Sequence, residues 1–121
     1  MRAAAAFVIL IAQLAGCALT DGPVAIQTLP ALDICNAARV GGTLVADPSF
    51  GLAFQNPGYR EGAIWPHGYS ARRELGVVVL LDPSGQVVAR EGDRILASGG
   101  SGPDDAVNVE CDIRVNPSPG A

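Results

Sequence analysis

The last apolar run of the chain alternates strictly. Val107, Val109, Cys111, Ile113 and Val115 are apolar, while Asn108, Glu110, Asp112 and Arg114 are polar. A period of two predicts a β-strand with one buried and one wet face, and it places Cys111 on the buried face. Leu75 to Leu81 is almost wholly apolar and predicts a buried central strand. Asp82-Pro83-Ser84-Gly85 follows it. Pro at the first central position favours a type I turn, and Gly85 supplies the left-handed residue after it. Gln86 to Glu91 then returns as the hairpin partner. Gly92-Asp93 breaks the run, which suggests a bulge or corner, and Arg94 to Ala97 resumes it. Shorter pieces lie upstream. Thr43 to Ala46 ends at Asp47-Pro48, Phe50 to Phe54 at Asn56-Pro57-Gly58, and Ala63 to Trp65 at Pro66. From Gly41 onward, Val and Ile recur in short runs broken by turn residues, with no internal repeat. Roughly five to seven short, bent strands predict an all-β fold, a small closed or partly open antiparallel β-barrel. Closure would also remove the exposed edges of a Val-rich sheet.

The N-terminus follows a different rule. Arg2 precedes an uncharged apolar stretch from Ala3 to Ala12. It is too short for about 30 Å of hydrocarbon, which takes roughly 20 residues, and it reads as a cleaved signal. Leu14-Ala15-Gly16-Cys17 comes next. These four positions resemble the lipobox of bacterial lipoproteins. The resemblance implies cleavage after Gly16, a diacylglycerol thioether on Cys17, and acylation of the new amine. It thereby implies the extracytoplasmic face of the cell envelope. Ala18 rather than Asp follows the cysteine, which implies the outer membrane where two membranes exist. The domain organisation expected is a signal peptide over 1–16, a lipidated tether and lead-in over 17–40, a barrel over 41–115, and a disordered tail over 116–121. Residues 18–30 mix Thr, Asp, Gly and Pro without a period and read as tether; 31–40 fit a short helix or an irregular lead-in equally.

Charge and cysteine usage narrow the partners. The chain has a formal net charge of −4, and losing Arg2 with the signal makes it more negative. It contains no lysine. Such a surface repels phosphate backbones, which disfavours nucleic acid, and it offers no polybasic patch for lipid. Membrane attachment then rests on the acyl chains, several of which anchor stably where one does not. With Cys17 lipidated, Cys35 and Cys111 remain. In an oxidising compartment two cysteines most simply pair, and a bond over that span corresponds to roughly 4 kcal/mol of loop-closure entropy. Zinc is the rival, but two thiols and a single His67 make a poor site. Neither a metal nor another cofactor is expected. Asp82, Asp93, Asp104 and Asp105 lack the ligand spacing of a calcium loop.

The aromatic residues after Cys17 all fall between positions 50 and 69: Phe50, Phe54, Tyr59, Trp65 and Tyr69. Phe50, Leu52 and Phe54 share one face of a strand and point to the core. Trp65, His67 and Tyr69 flank Pro66 and Gly68 in a tight loop, with the adjacent basic pair Arg72-Arg73 beyond. These five, Trp65, His67, Tyr69, Arg72 and Arg73, form the candidate binding patch, suited to a saccharide or an envelope protein. The competing expectation is that Trp65 plugs the core. The stretch from Gly41 to Gly100 resembles small uncharacterised bacterial lipoproteins with an oligonucleotide/oligosaccharide-binding-like (OB-like) barrel. The matching pieces are Gly42-Thr43-Leu44, Trp65-Pro66-His67-Gly68-Tyr69, and Gly92-Asp93-Arg94-Ile95 before Gly99-Gly100. The resemblance implies a fold and a location but no activity, so no catalytic residue is carried over. The expected function is a lipid-anchored extracytoplasmic binding or assembly module, not an enzyme. The alternative is a small hydrolase or metal-dependent enzyme using His67 with nearby carboxylates, which requires a carboxylate within hydrogen-bond reach of His67.

Overall fold

A computed structural model describes residues 21–118. These residues are all-β, with ten strands in two sheets. The strands are β1 (Gly22–Val24), β2 (Gln27–Thr28), β3 (Ala38–Asp47), β4 (Gly51–Asn56), β5 (Tyr59–Trp65), β6 (Ser70–Glu74), β7 (Val77–Leu81), β8 (Val87–Arg90), β9 (Arg94–Ser101) and β10 (Val107–Val115). The small sheet has the order β1-β6-β7-β8 and is antiparallel throughout. The large sheet has the order β10-β9-β3-β4-β5-β2, and β10 also pairs with β5. Its pairings therefore run in a ring. Both partners added at β5, β10 and β2, lie parallel to it, where only antiparallel neighbours were expected.

The bend that curls the large sheet is written in β3. Ala38 to Thr43 pair with β9, whereas Thr43 to Asp47 pair with β4. At the end of the β9-paired half, just before the changeover at Thr43, stand Gly41 and Gly42, with φ of 150° and 149°. A Cβ on Gly41 would lie 2.1 Å from the Ile95 carbonyl oxygen, so a side chain would push the strands apart. The two sheets share one core. Leu44, Leu52, Phe54 and Trp65 enter it from the large sheet, and Ala71, Val78 and Leu80 from the small one. Each fully buried large side chain stabilises the fold by about 1.5–3 kcal/mol. The Gly92-Asp93 corner stitches the sheets together: Gly92 N–H donates to Leu44 O, and Leu44 N–H donates to Asp93 O, both at 2.8 Å.

The β7–β8 hairpin matches its turn chemistry. Gly85 N–H closes on Asp82 O at 2.9 Å, and Gly85 has φ 86°. The Asp82 carboxylate accepts from Ser84 N–H and Oγ–H and from Gln86 N–H. The central-strand expectation holds for Val78 to Leu81, which are buried, but not for Leu75, Gly76 and Val77, which are exposed. Leu75 and Gly76 form the β6–β7 turn instead. β6 itself gives little sequence signal because Ser70, Arg72 and Glu74 face outward and only Ala71 is fully buried in the core.

Two further differences concern the ends. Within the segment read as tether, β1 pairs with β6 and β2 with β5. Backbone pairing needs no apolar period in so short a strand, so composition conceals it. In β10 the alternation is real but its phase slips twice. Val109 pairs with Gly99, yet Cys111 pairs with Ser98, so Glu110 is an extra residue. A second irregularity around Asp112, with φ 54°, restores the phase, and Val115 pairs with Ile95. Ser98 lies between buried Ala97 and Gly99 and faces outward, so Cys111 does too. The expected buried position of Cys111 is thus overturned by one bulge.

Candidate functional site

Trp65 ends β5, whose register against β4 sends Ala63 and Trp65 inward. It is fully buried, with its ring edge-on to Phe54 at 5.5 Å and 66°. Its indole N–H meets no acceptor among the described residues. Trp65 is therefore a core plug and not part of an exposed patch; a ring this size in a Val- and Ala-rich core has nowhere drier to go. Phe54 lies beside it in the core, but Phe50 does not share their face. The Asp47 carboxylate accepts from Ser49 and Phe50 N–H at 2.9 Å each and turns the chain there. Phe50 then covers Gly62, where a Cβ would come within 2.4 Å of its ring. Tyr59, the first residue of β5, is 55% exposed.

The loop after Trp65 is a tight turn. Tyr69 N–H donates to Pro66 O at 3.2 Å, and Gly68 has φ 83°. A Cβ on Gly68 would lie 3.0 Å from Pro83 Cγ, so this turn packs on the β7–β8 turn. His67 is exposed at its tip, with no hydrogen bond to a carboxylate among the described residues. Tyr69 is partly buried against the core. Burial raises its phenol pKa above the ordinary value, and the nearby Asp82 carboxylate raises it further. Asp82 itself is held below the usual carboxylate range, chiefly by the Ser84 hydroxyl and then by the turn's backbone N–H groups, with partial desolvation opposing them.

Strand alternation separates the basic pair. Arg72 points outward beside Val79 in register and pairs with the Glu74 carboxylate. Arg73 pairs in register with buried Val78 and reaches the Gly76 carbonyl at 3.5 Å. The structure thus keeps His67 and Tyr69 in one turn but does not assemble the five expected residues into one surface.

His67 instead joins residues that the sequence reading placed elsewhere. With Pro66 it lines a cleft of about 250 Å³ whose other walls are Pro30, Ala31, Leu32, Glu110 and the Cys35–Cys111 pair. Those cysteines stand at disulfide distance, with Cα atoms 6.1 Å apart. Asn36 fastens the same loop, donating from its backbone N–H and its Nδ2 to the Glu110 carboxylate at 2.9 and 3.0 Å. On this fixed loop, Leu32 is 46% and Ile34 82% exposed. Leu32, Ile34 and Glu110 were missed as site residues. The available signal was their place beside Cys35 and Cys111, since residues flanking a cross-link are held rigid.

A larger cavity of about 410 Å³ opens where Arg39 and Arg94 flank Gly41 and Gly42. Arg94 is engaged there, donating to the Pro117 carbonyl at 2.7 Å. Among the described residues no three His, Cys, Asp or Glu side chains group as metal ligands. Cys17 lies outside the described residues. No protein-family model, curated protein or solved structure matches the chain.

Proposed function

We propose that this protein is a lipid-anchored, extracytoplasmic binding or assembly module rather than an enzyme, and that its β3-β4-β5-β10-β9 ring is a small, closed or partly open OB-like barrel. The barrel reading is supported by the order of pairings, in which the parallel β5–β10 contact closes the circuit. The anchor reading rests on Leu14-Ala15-Gly16-Cys17. The envelope address and a mature chain beginning at Cys17 follow from it.

The observation that carries the binding function is the exposed apolar rim of Leu32 and Ile34 on a loop held by Cys35–Cys111 and by Asn36–Glu110. Such side chains cost solvation unless a partner covers them, and a rigid frame lowers the entropy lost on docking. An apolar segment of an envelope protein suits this rim better than a saccharide, because the ring best able to stack a sugar, Trp65, is in the core. Nucleic acid remains disfavoured by the acidic chain. The hydrolase alternative draws on His67 and Glu110 lining one cleft, but the Glu110 carboxylate is committed to Asn36. The test is in-cell photocrosslinking from position 34, with position 84 in the β7–β8 turn as control. The expected result is one discrete protein adduct from position 34 that Leu32→Asp abolishes. Equal labelling from both positions, or none, rejects the docking role.

A further inference from the structure

Leu75 is out of place by two physical criteria. It has φ 51° and is followed by Gly76 at φ 80°, so both central residues of the two-residue β6–β7 turn are left-handed. Such type I′ turns are ordinarily Asn-Gly, Asp-Gly or Gly-Gly, because a branched apolar side chain is strained there. Leu75 is also 93% exposed, so no burial among the described residues offsets the strain. Val77 beside it is 38% exposed. An apolar residue held in a strained conformation, pointing at water, is an outlier from which function is legitimately argued.

The surroundings say what covers it. Leu75 N–H donates to Asp21 Oδ1 at 2.8 Å, which fixes the turn against the first described residue. Directly after Asp21, Gly22 pairs with Arg73 on the same hairpin. The chain therefore arrives at this hairpin tip from the side of Cys17. Five peptide steps from Cys17 to Gly22 span at most about 18 Å even when fully extended. Resting on the lipid-anchored reading above, that length holds the tip within reach of the headgroups. Asp21, Arg72, Arg73 and Glu74 balance in charge around it, so apolar burial rather than attraction to anionic lipid drives the contact. The long stems of Arg72 and Arg73 can follow the tip while their heads stay at the phosphates.

We infer that Leu75, with Val77 beside it, enters the lipid interface of the same membrane that carries the Cys17 anchor. The domain is then pinned at two points and presents a fixed face to the envelope. The acylated full-length chain carrying Leu75→Trp is reconstituted in phosphatidylcholine vesicles brominated near the headgroup end of the acyl chains. Mass spectrometry records the diacylglyceryl group on Cys17 in the same sample. Val77→Trp provides a second probe should the first variant misfold, Tyr59→Trp reports the other sheet, and the unsubstituted chain gives the Trp65 background. The expected result is a blue-shifted, quenched emission from the tip probes and none from position 59. An acylated chain with both tip probes unquenched, or with all positions quenched alike, overturns the inference and leaves the anchor standing. A chain lacking the lipid on Cys17 overturns the anchor reading and this inference with it.

Discussion

Trp65 and Leu75 sit ten positions apart, one beside a turn and the other within one, and their fates are the reverse of what their neighbours suggest. Trp65 adjoins Pro66, His67 and Gly68, a loop-like setting, yet it is fully buried. Leu75 opens the most apolar run of the chain, yet it is almost fully exposed. Strand register accounts for both. In β5 the pairing of Ala53 with Gly62 fixes which residues turn inward, and Trp65 inherits the core-facing side. In the β6–β7 hairpin the pairing of Glu74 with Val77 leaves only Leu75 and Gly76 to make the turn. Side-chain chemistry says what a residue favours; pairing says where it is put, and the two disagree most at the ends of strands.

The sharpest way to break this comparison is to delete each side chain in turn. Trp65→Ala removes the largest buried group of a core short of large residues and should cost about 3–5 kcal/mol, read as a drop in the urea midpoint. A loss below about 1 kcal/mol would show Trp65 to be peripheral. Leu75→Asn should act in the opposite direction. Asparagine tolerates the left-handed conformation, so the fold gains about 1 kcal/mol while the apolar tip is lost. A destabilised variant in that assay contradicts the strain argument.

The smallest expected effect lies between the two regions, where the 66–69 turn packs on the 82–85 turn. The folded Tyr69 phenol has a raised pKa, so its contribution to stability stands below the unfolded value near 10 and is lost as pH rises through the folded value. Asp82 has the opposite sign. Its depressed pKa gives stability that stands above its ordinary value of 3.8 and is lost as pH falls through the folded value. Spectrophotometric titration of Tyr69 should therefore give a midpoint above 10, and Asp82→Asn should lower it only part-way, because burial is the larger cause. A full return to the ordinary value assigns the shift to charge alone.

These cases also mark how far the sequence could be read. The all-β class, the β7–β8 turn and the Cys35–Cys111 pairing were legible, because each depends on local residue chemistry or simple counting. The turn at Asp82 needs nothing beyond its own four residues and Gln86. The inward face of β10 was legible except at Cys111, since a bulge is a property of two strands at once. β1, β2 and β6 were hidden for the same reason: their apolar content is too small to show a period, and neighbours impose the pairing. The candidate patch failed at Trp65, whose burial follows from register. Its replacement, the Leu32–Ile34 rim, is assembled by a cross-link joining distant parts of the chain.

The parallel contact between β5 and β10 has a consequence for how the chain reaches this state. Val107 and Asn108 meet Ala63 and Ile64, and β10 follows every other described strand in the chain, so it is synthesised after them. Until it arrives, the free edges of β5 and β9 and the thiol of Cys35 all await the same segment. Long-range pairings of this kind are slow to form, because the intervening chain must first be confined. The incomplete chain is an open, sticky sheet, and its completion is a single late event that joins and cross-links the sheet together. Loss of β10 therefore does more harm than its length suggests, since it withdraws the ring's closing segment and one half of its cross-link in the same stroke.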